Sequence, residues 1–144
     1  MNKQFSLAGL LRLRHLQQDE AAGQLASANA RLDGTSVERN RARAALGATR
    51  TDVTSTESLY AMAAGRASLR SMLADLDSMI CQQQNEATRA DDAFKQARAH
   101  AMALEKLETK HVKAVKVEEL RSEQATLDEL VGVAWHATHK AVTP

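Results

Sequence analysis

His136 and His139 stand three residues apart, a spacing that lets one helix turn offer both rings to a metal ion. Zinc takes at least three protein ligands, and no third donor accompanies the pair, so a solvated terminal turn accounts for them as well. His111 sits among Lys110, Lys113 and Lys116, and neither His15 nor His100 has a nucleophile pattern around it. Glu118, Glu119, Glu123, Asp128 and Glu129 form an acidic cluster. Paired carboxylates do acid and base chemistry only where a desolvated cleft separates their pKa values, which a pair of helices does not supply. The six glycines are scattered singly, so there is no glycine-rich phosphate loop. Cys81 has no cysteine to pair with, which excludes an internal disulfide and fits a reducing compartment; it reads as a small apolar residue on a helix. The sequence therefore predicts no catalytic residue, no metal and no cofactor, and a protein that is not an enzyme.

Nucleic acid is also a poor match. Arg31, Arg39, Arg41, Arg43 and Arg50 make a basic stretch opposed only by Asp33 and Glu38. No aromatic residue is interleaved for base stacking, and the whole chain carries a formal charge of only +1. A solvated face or an acidic protein partner suits the stretch better.

The elements that position these groups must be helices. One Tyr, one Trp and two Phe leave little for a thick globular core, while Ala, Leu, Arg, Gln and Glu, all strong helix formers, dominate. Pro144 is the only proline, so no ring forces a break before it. Ten basic and six acidic residues lie in Met1 to Arg70, and nine basic and twelve acidic in Ser71 to Pro144, so the two halves have opposite sign. Folding the chain back would set complementary halves side by side.

A stripe runs through Leu69, Leu73, Leu76, Ile80, Gln83, Ala87, Ala90, Phe94, Ala97, Ala101 and Leu104, every step being three or four residues. This a/d repeat implies a left-handed coiled coil. It returns as Val117, Leu120, Gln124, Leu127, Val131 and Ala134, displaced by one residue, so the supercoil must adjust between Glu105 and Lys116. The first half carries a weaker stripe from Leu7, Leu11 and Arg14 through Gln18, Ala21, Leu25, Ala28, Leu32, Thr35, Arg39, Ala42, Leu46 and Thr49 to Val53.

Helix one is predicted over about 6–50, with Ser6 as its cap and Phe5 stapled to Leu10. From Thr49 to Ser58, β-branched and hydroxyl residues compete with the helix, so a connection is predicted over about 51–66. Thr54 and Glu57 match a capping box and Gly65 is a weak point, so Glu57 to Ala64 forms a short helix in this reading, and helix two spans about 67–138. A helix of some 70 residues rises about 105 Å and needs a partner for its apolar stripe. Folding back antiparallel supplies one within a single domain, 1–144; a parallel homodimer of nearly straight helices is the competing arrangement.

Phe5, Leu7, Leu10, Leu11, Leu13 and Arg14, followed by Asp19-Glu20-Ala21-Ala22 and then Leu25-Ala26 with Ala28, resemble the opening of the flagellar FliJ family. Leu104-Glu105-Lys106-Leu107, Glu123-Gln124 and Leu127-Asp128-Glu129 resemble its ending, and the likeness covers nearly the whole chain. The resemblance implies an all-α, antiparallel two-helix coiled-coil hairpin similar to the rotor stalk, or gamma subunit, of rotary ATPases. It implies a part in flagellar protein export, and so in flagellum biogenesis, motility and chemotaxis. The implied partners are the hexameric export ATPase, the export gate membrane protein and the flagellar export chaperones. Leu7, Leu11, Arg14, Leu127, Asp128, Glu129 and Val131 align with the ATPase end, and Met72, Leu76, Met79 and Gln83 with the gate-binding surface. Family members often carry aromatics on that surface, whereas here Met72 faces Ala42, Ala45 and Thr49. Leu76 also falls on the heptad seam, which leaves Met72 and Met79 as the better surface residues.

Arg12, Arg14 and His15 interrupt the stretch from Leu7 to Leu16, so no signal-peptide core is expected, and no apolar run approaches the length that spans a bilayer. The expected location is the cytoplasm, peripherally at the inner face of the cell membrane at the flagellar base. The alternatives are the equivalent stalk of a virulence type III secretion system and a purely structural homodimeric coiled coil.

Overall fold

The computed structural model of the chain describes residues 4–140; Pro144, the chain's one proline, lies outside the described residues. Two helices account for nearly all of it, α1 (Ala8–Gly47) and α2 (Thr56–Lys140), packed against each other as an all-α helical hairpin with no strand among the described residues. The competing arrangement of nearly straight helices is therefore not adopted, because the chain supplies its own partner.

The chain divides into two compact units, His15–Ala99 and a second made of Met1–Arg14 with His100–Pro144. Within the first, the seam is the expected one. Leu76 and Ile80 of α2 and Ala28, Thr35 and Ala42 of α1 are buried, and every other stripe residue from Leu69 to Ala97 is half-buried. Thr35 is tolerated there because its hydroxyl donates to the Arg31 carbonyl oxygen at 3.1 Å. Two ion pairs cross the seam, Arg31 to Glu86 at 3.5 Å and Arg39 to Asp77 at 3.8 Å. Both join a base of the first half to an acid of the second, as the charge asymmetry implies. Each is exposed enough to add at most about 1 kcal/mol. In the second unit Leu11, Ala101 and Leu104 are buried, and the Phe5 ring lies 5.6 Å from the His111 ring.

The helix ends differ from expectation. α1 begins at Ala8 rather than near Ser6, where the Ala8 amide donates to the Phe5 carbonyl oxygen at 3.1 Å. Phe5 meets His111 across the hairpin, while Leu10, its expected staple partner, is exposed. The staple pattern is local and the aromatic contact is not, so sequence spacing alone does not announce His111 as a partner of Phe5. α1 ends at Gly47 and α2 starts at Thr56, so the connection is residues 48–55, shorter and earlier than about 51–66. The capping pair is Ser55 with Ser58, not Thr54 with Glu57. The Ser58 amide donates to Ser55 Oγ at 3.1 Å and the Ser55 amide donates to Ser58 Oγ at 3.0 Å. This reciprocal arrangement satisfies two amides that a helix start leaves free. Glu57 to Ala64 is consequently not a separate short helix but the first part of α2, and Gly65 lies inside it without a break. A Gly in a helix interior costs about 1 kcal/mol, too little to interrupt so long a helix.

Candidate interaction surfaces

α2 outruns its partner. Burial follows the first heptad phase from Ala101 and Leu104 through Glu108, His111 and Val115, and beyond Val115 every described residue except Gly132 is exposed. The phase slip thus falls between Val115 and Val117, at the late edge of the window read from the sequence. Val117, Leu120, Leu127 and Val131 of the second stripe are 50%, 62%, 57% and 68% exposed, and Leu130 and Trp135 flank them in the open. The stripe anticipated α1 as its partner; α1 does not extend to it.

The residues aligned with the ATPase end therefore form two patches rather than one. Leu7 is exposed, Leu11 is buried and Arg14 is half-buried where α1 meets α2, whereas Leu127, Asp128, Glu129 and Val131 all lie on the free part of α2. Leu127 is 16 residues beyond His111, or about 24 Å along the helix. Leu120 belongs to the same exposed surface and was not singled out by sequence motif; the signal that marks it is the displaced stripe.

On the gate-aligned surface the four residues divide. Met72 and Met79 are 50% and 47% exposed, while Leu76 is buried and Gln83 half-buried on the seam. Gln83 Oε1 is buried without a hydrogen-bond partner, and so is Arg39 Nε. Met72 shares a shallow groove of about 490 Å³ with Glu38, Arg41, Ala42, Ala45, Leu69 and Leu76. Small residues on α1 leave this groove open beside a flexible thioether, a combination suited to a partner's apolar side chain.

The remaining chemistry-bearing residues have local roles. His139 stacks on Trp135, ring centroids 4.0 Å apart, with Nδ1 3.0 Å from the Trp135 carbonyl oxygen, and the His136 ring lies 5.2 Å from Trp135. No group of three or more His, Cys, Asp or Glu suited to a metal occurs among the described residues. Cys81 lies on the exposed side of α2 rather than in its seam. Asp128 accepts a hydrogen bond from Gln124 Nε2 at 3.0 Å. Lys95 bonds Asp91 at 2.6 Å, which holds the ammonium pKa above its ordinary value through the hydrogen bond and the carboxylate charge. No described helix is long and apolar enough to cross a membrane.

The described residues define the class of the protein as an all-α helical hairpin with a narrow, alanine-rich seam. The particular family is identified by a family model described as "Flagellar FliJ protein", which matches residues 3–140; the chain belongs to that family. It is thereby a flagellar export-associated protein of a structural, chaperone-like kind that interacts with components of the export apparatus. No curated protein and no solved structure matches the chain.

Proposed function

We propose that this chain is the stalk of the flagellar export ATPase ring and an escort that links the ring to the export gate and to substrate-loaded export chaperones. It acts in the cytoplasm at the inner face of the cell membrane at the flagellar base, as a single 1–144 coiled-coil domain without catalytic activity, metal or cofactor. The observation that supports this reading most is the free part of α2, an apolar stripe on one unpartnered helix, with every residue after Val115 but Gly132 exposed among those described. A lone helix with such a stripe fits a ring's central opening, and the family gives the ring its identity. Leu127, Asp128, Glu129 and Val131 then contact the ring interior, with Leu7, Leu11 and Arg14 at its rim. Met72, beside the Ala42 and Ala45 groove, and Met79 further along α2 receive the gate protein, and Leu76 and Gln83 support that surface from the seam.

The test is a pull-down of the export ATPase, with ring assembly followed in parallel, using the full chain and a truncation ending before Leu120. The full chain binds and promotes the ring and the truncation does neither. Binding by the truncation moves the contact to the hairpin, and no binding by the full chain removes the stalk reading.

A further inference from the structure

The free stripe does not continue the hairpin seam. Extending the seam's phase past Val115 leads to Glu118, Ser122, Ala125 and Glu129, which are mostly polar. Counted between equivalent heptad positions, Val115 to Val117, the displacement is two residues rather than the one expected from the sequence, and at about 100° per residue that places the apolar stripe nearly on the opposite side of α2. The switch coincides with the point where α1 ceases to cover α2. The stripe is therefore built for a helix other than α1.

We propose that this helix is the same segment of a second copy, so that two chains pair antiparallel through residues 111–140. The heptad frame of the stripe puts Val117, Gln124 and Val131 at a and Leu120, Leu127 and Ala134 at d, with Arg121, Asp128 and Trp135 at e and Glu123 at g. Parallel pairing sets Lys116 against the partner's Arg121 and Glu123 against the partner's Asp128, like charges in both pairs. Antiparallel pairing has three registers that set at least two of the three a residues against d residues. Matching Val117 to the partner's Leu127 brings Arg121 onto the partner's Arg121 and Glu123 onto the partner's Glu123. Matching Leu127 to the partner's Val131 brings Asp128 onto the partner's Asp128.

The middle register alone joins opposite charges. It packs Leu120 on the partner's Val131 and Gln124 on the partner's Leu127, and sets Arg121 beside the partner's Asp128, twice by symmetry. It also places the indole of Trp135 over the partner's Ala114, a large side chain facing a small one. In this register residue 111 lies level with the partner's 140, so the overlap runs only about one turn into the part of α2 that α1 covers, and there the partner approaches from the opposite face. The inference goes beyond the ATPase reading and does not need it: Leu127, Asp128 and Val131 lie inside the paired segment, so self-pairing and ring insertion exclude each other.

The experiment is sedimentation velocity on the full chain alone, from about 1 µM to about 500 µM, together with Arg121→Asp, Asp128→Arg and the double exchange. Circular dichroism checks that each variant remains helical. A dimer is expected in the wild type, weakened at least about tenfold in Kd by each single exchange and returned to within about threefold of wild type by the double. Trp135 emission shifts to the blue over the same concentration range as the dimer forms. A wild type that stays monomeric throughout overturns the proposal, as does a dimer that ignores the exchanges or one that both singles weaken and the double does not restore. A monomer that nevertheless binds the export ATPase gives the stripe to the ring and leaves the proposed function standing.

Discussion

α2 is one unbroken helix that lives in two environments. Between Leu69 and Leu104 its stripe is buried or half-buried against α1, and from Val117 onward an equally apolar stripe faces solvent. Composition scarcely changes between the two, so burial is decided by the reach of α1. A heptad repeat announces a partner without saying which one.

The largest expected effect separates the two stripes directly. Ile80→Ala removes buried volume from the seam and lowers stability by about 2–4 kcal/mol, whereas Leu127→Ala, at a concentration dilute enough to keep the chain monomeric, changes it by less than about 0.5 kcal/mol. Urea unfolding followed by circular dichroism measures both, and equal losses would mean that the free stripe is covered within the single chain. Next in size is Ser55→Ala, which removes one side of the reciprocal cap at the start of α2 and costs about 1 kcal/mol in the same assay.

Gln83→Leu runs the other way. Its buried Oε1 has no partner, so an apolar replacement of similar length raises stability by about 1 kcal/mol; a loss would reveal a hydrogen bond, direct or through water, that the seam depends on. The smallest effect belongs to the free part. Gly132→Ala meets nothing within 4 Å and adds helix propensity, raising the overhang's helicity while leaving the hairpin's melting temperature unchanged.

The seam was readable because side chains repeat every three or four residues along it, and the residues named from Leu69 to Leu104 are those that α1 covers. The slip between Val115 and Val117 was readable as a displacement, but its cause was not, because periodicity carries no information about where the other helix stops. The connection was misplaced since Gly65, read as a weak point, is tolerated inside a helix, while the Ser55 and Ser58 pair closes a box that lacks the usual Glu at its third position. Of the gate-aligned residues, the heptad frame already separated Leu76 from Met72 and Met79. Of the residues aligned with the ATPase end it placed Leu7, Leu11, Arg14, Leu127 and Val131 on stripes, but not Asp128 or Glu129, and only the mismatch in helix lengths divides the set into two patches.

The short connection at residues 48–55 also sets the order in which the hairpin closes. Contacts beside the turn join residues close in sequence, and their separation grows toward the pair formed by Phe5 and His111. Loop closure is least costly at the turn, so the hairpin zips from there outward and the Phe5 end is the last to form. Reversing the zipper peels α1 away turn by turn without dissolving the rest. Fraying at that end lengthens the free part of α2, so the reach of this helix toward a partner is an adjustable quantity rather than a fixed one.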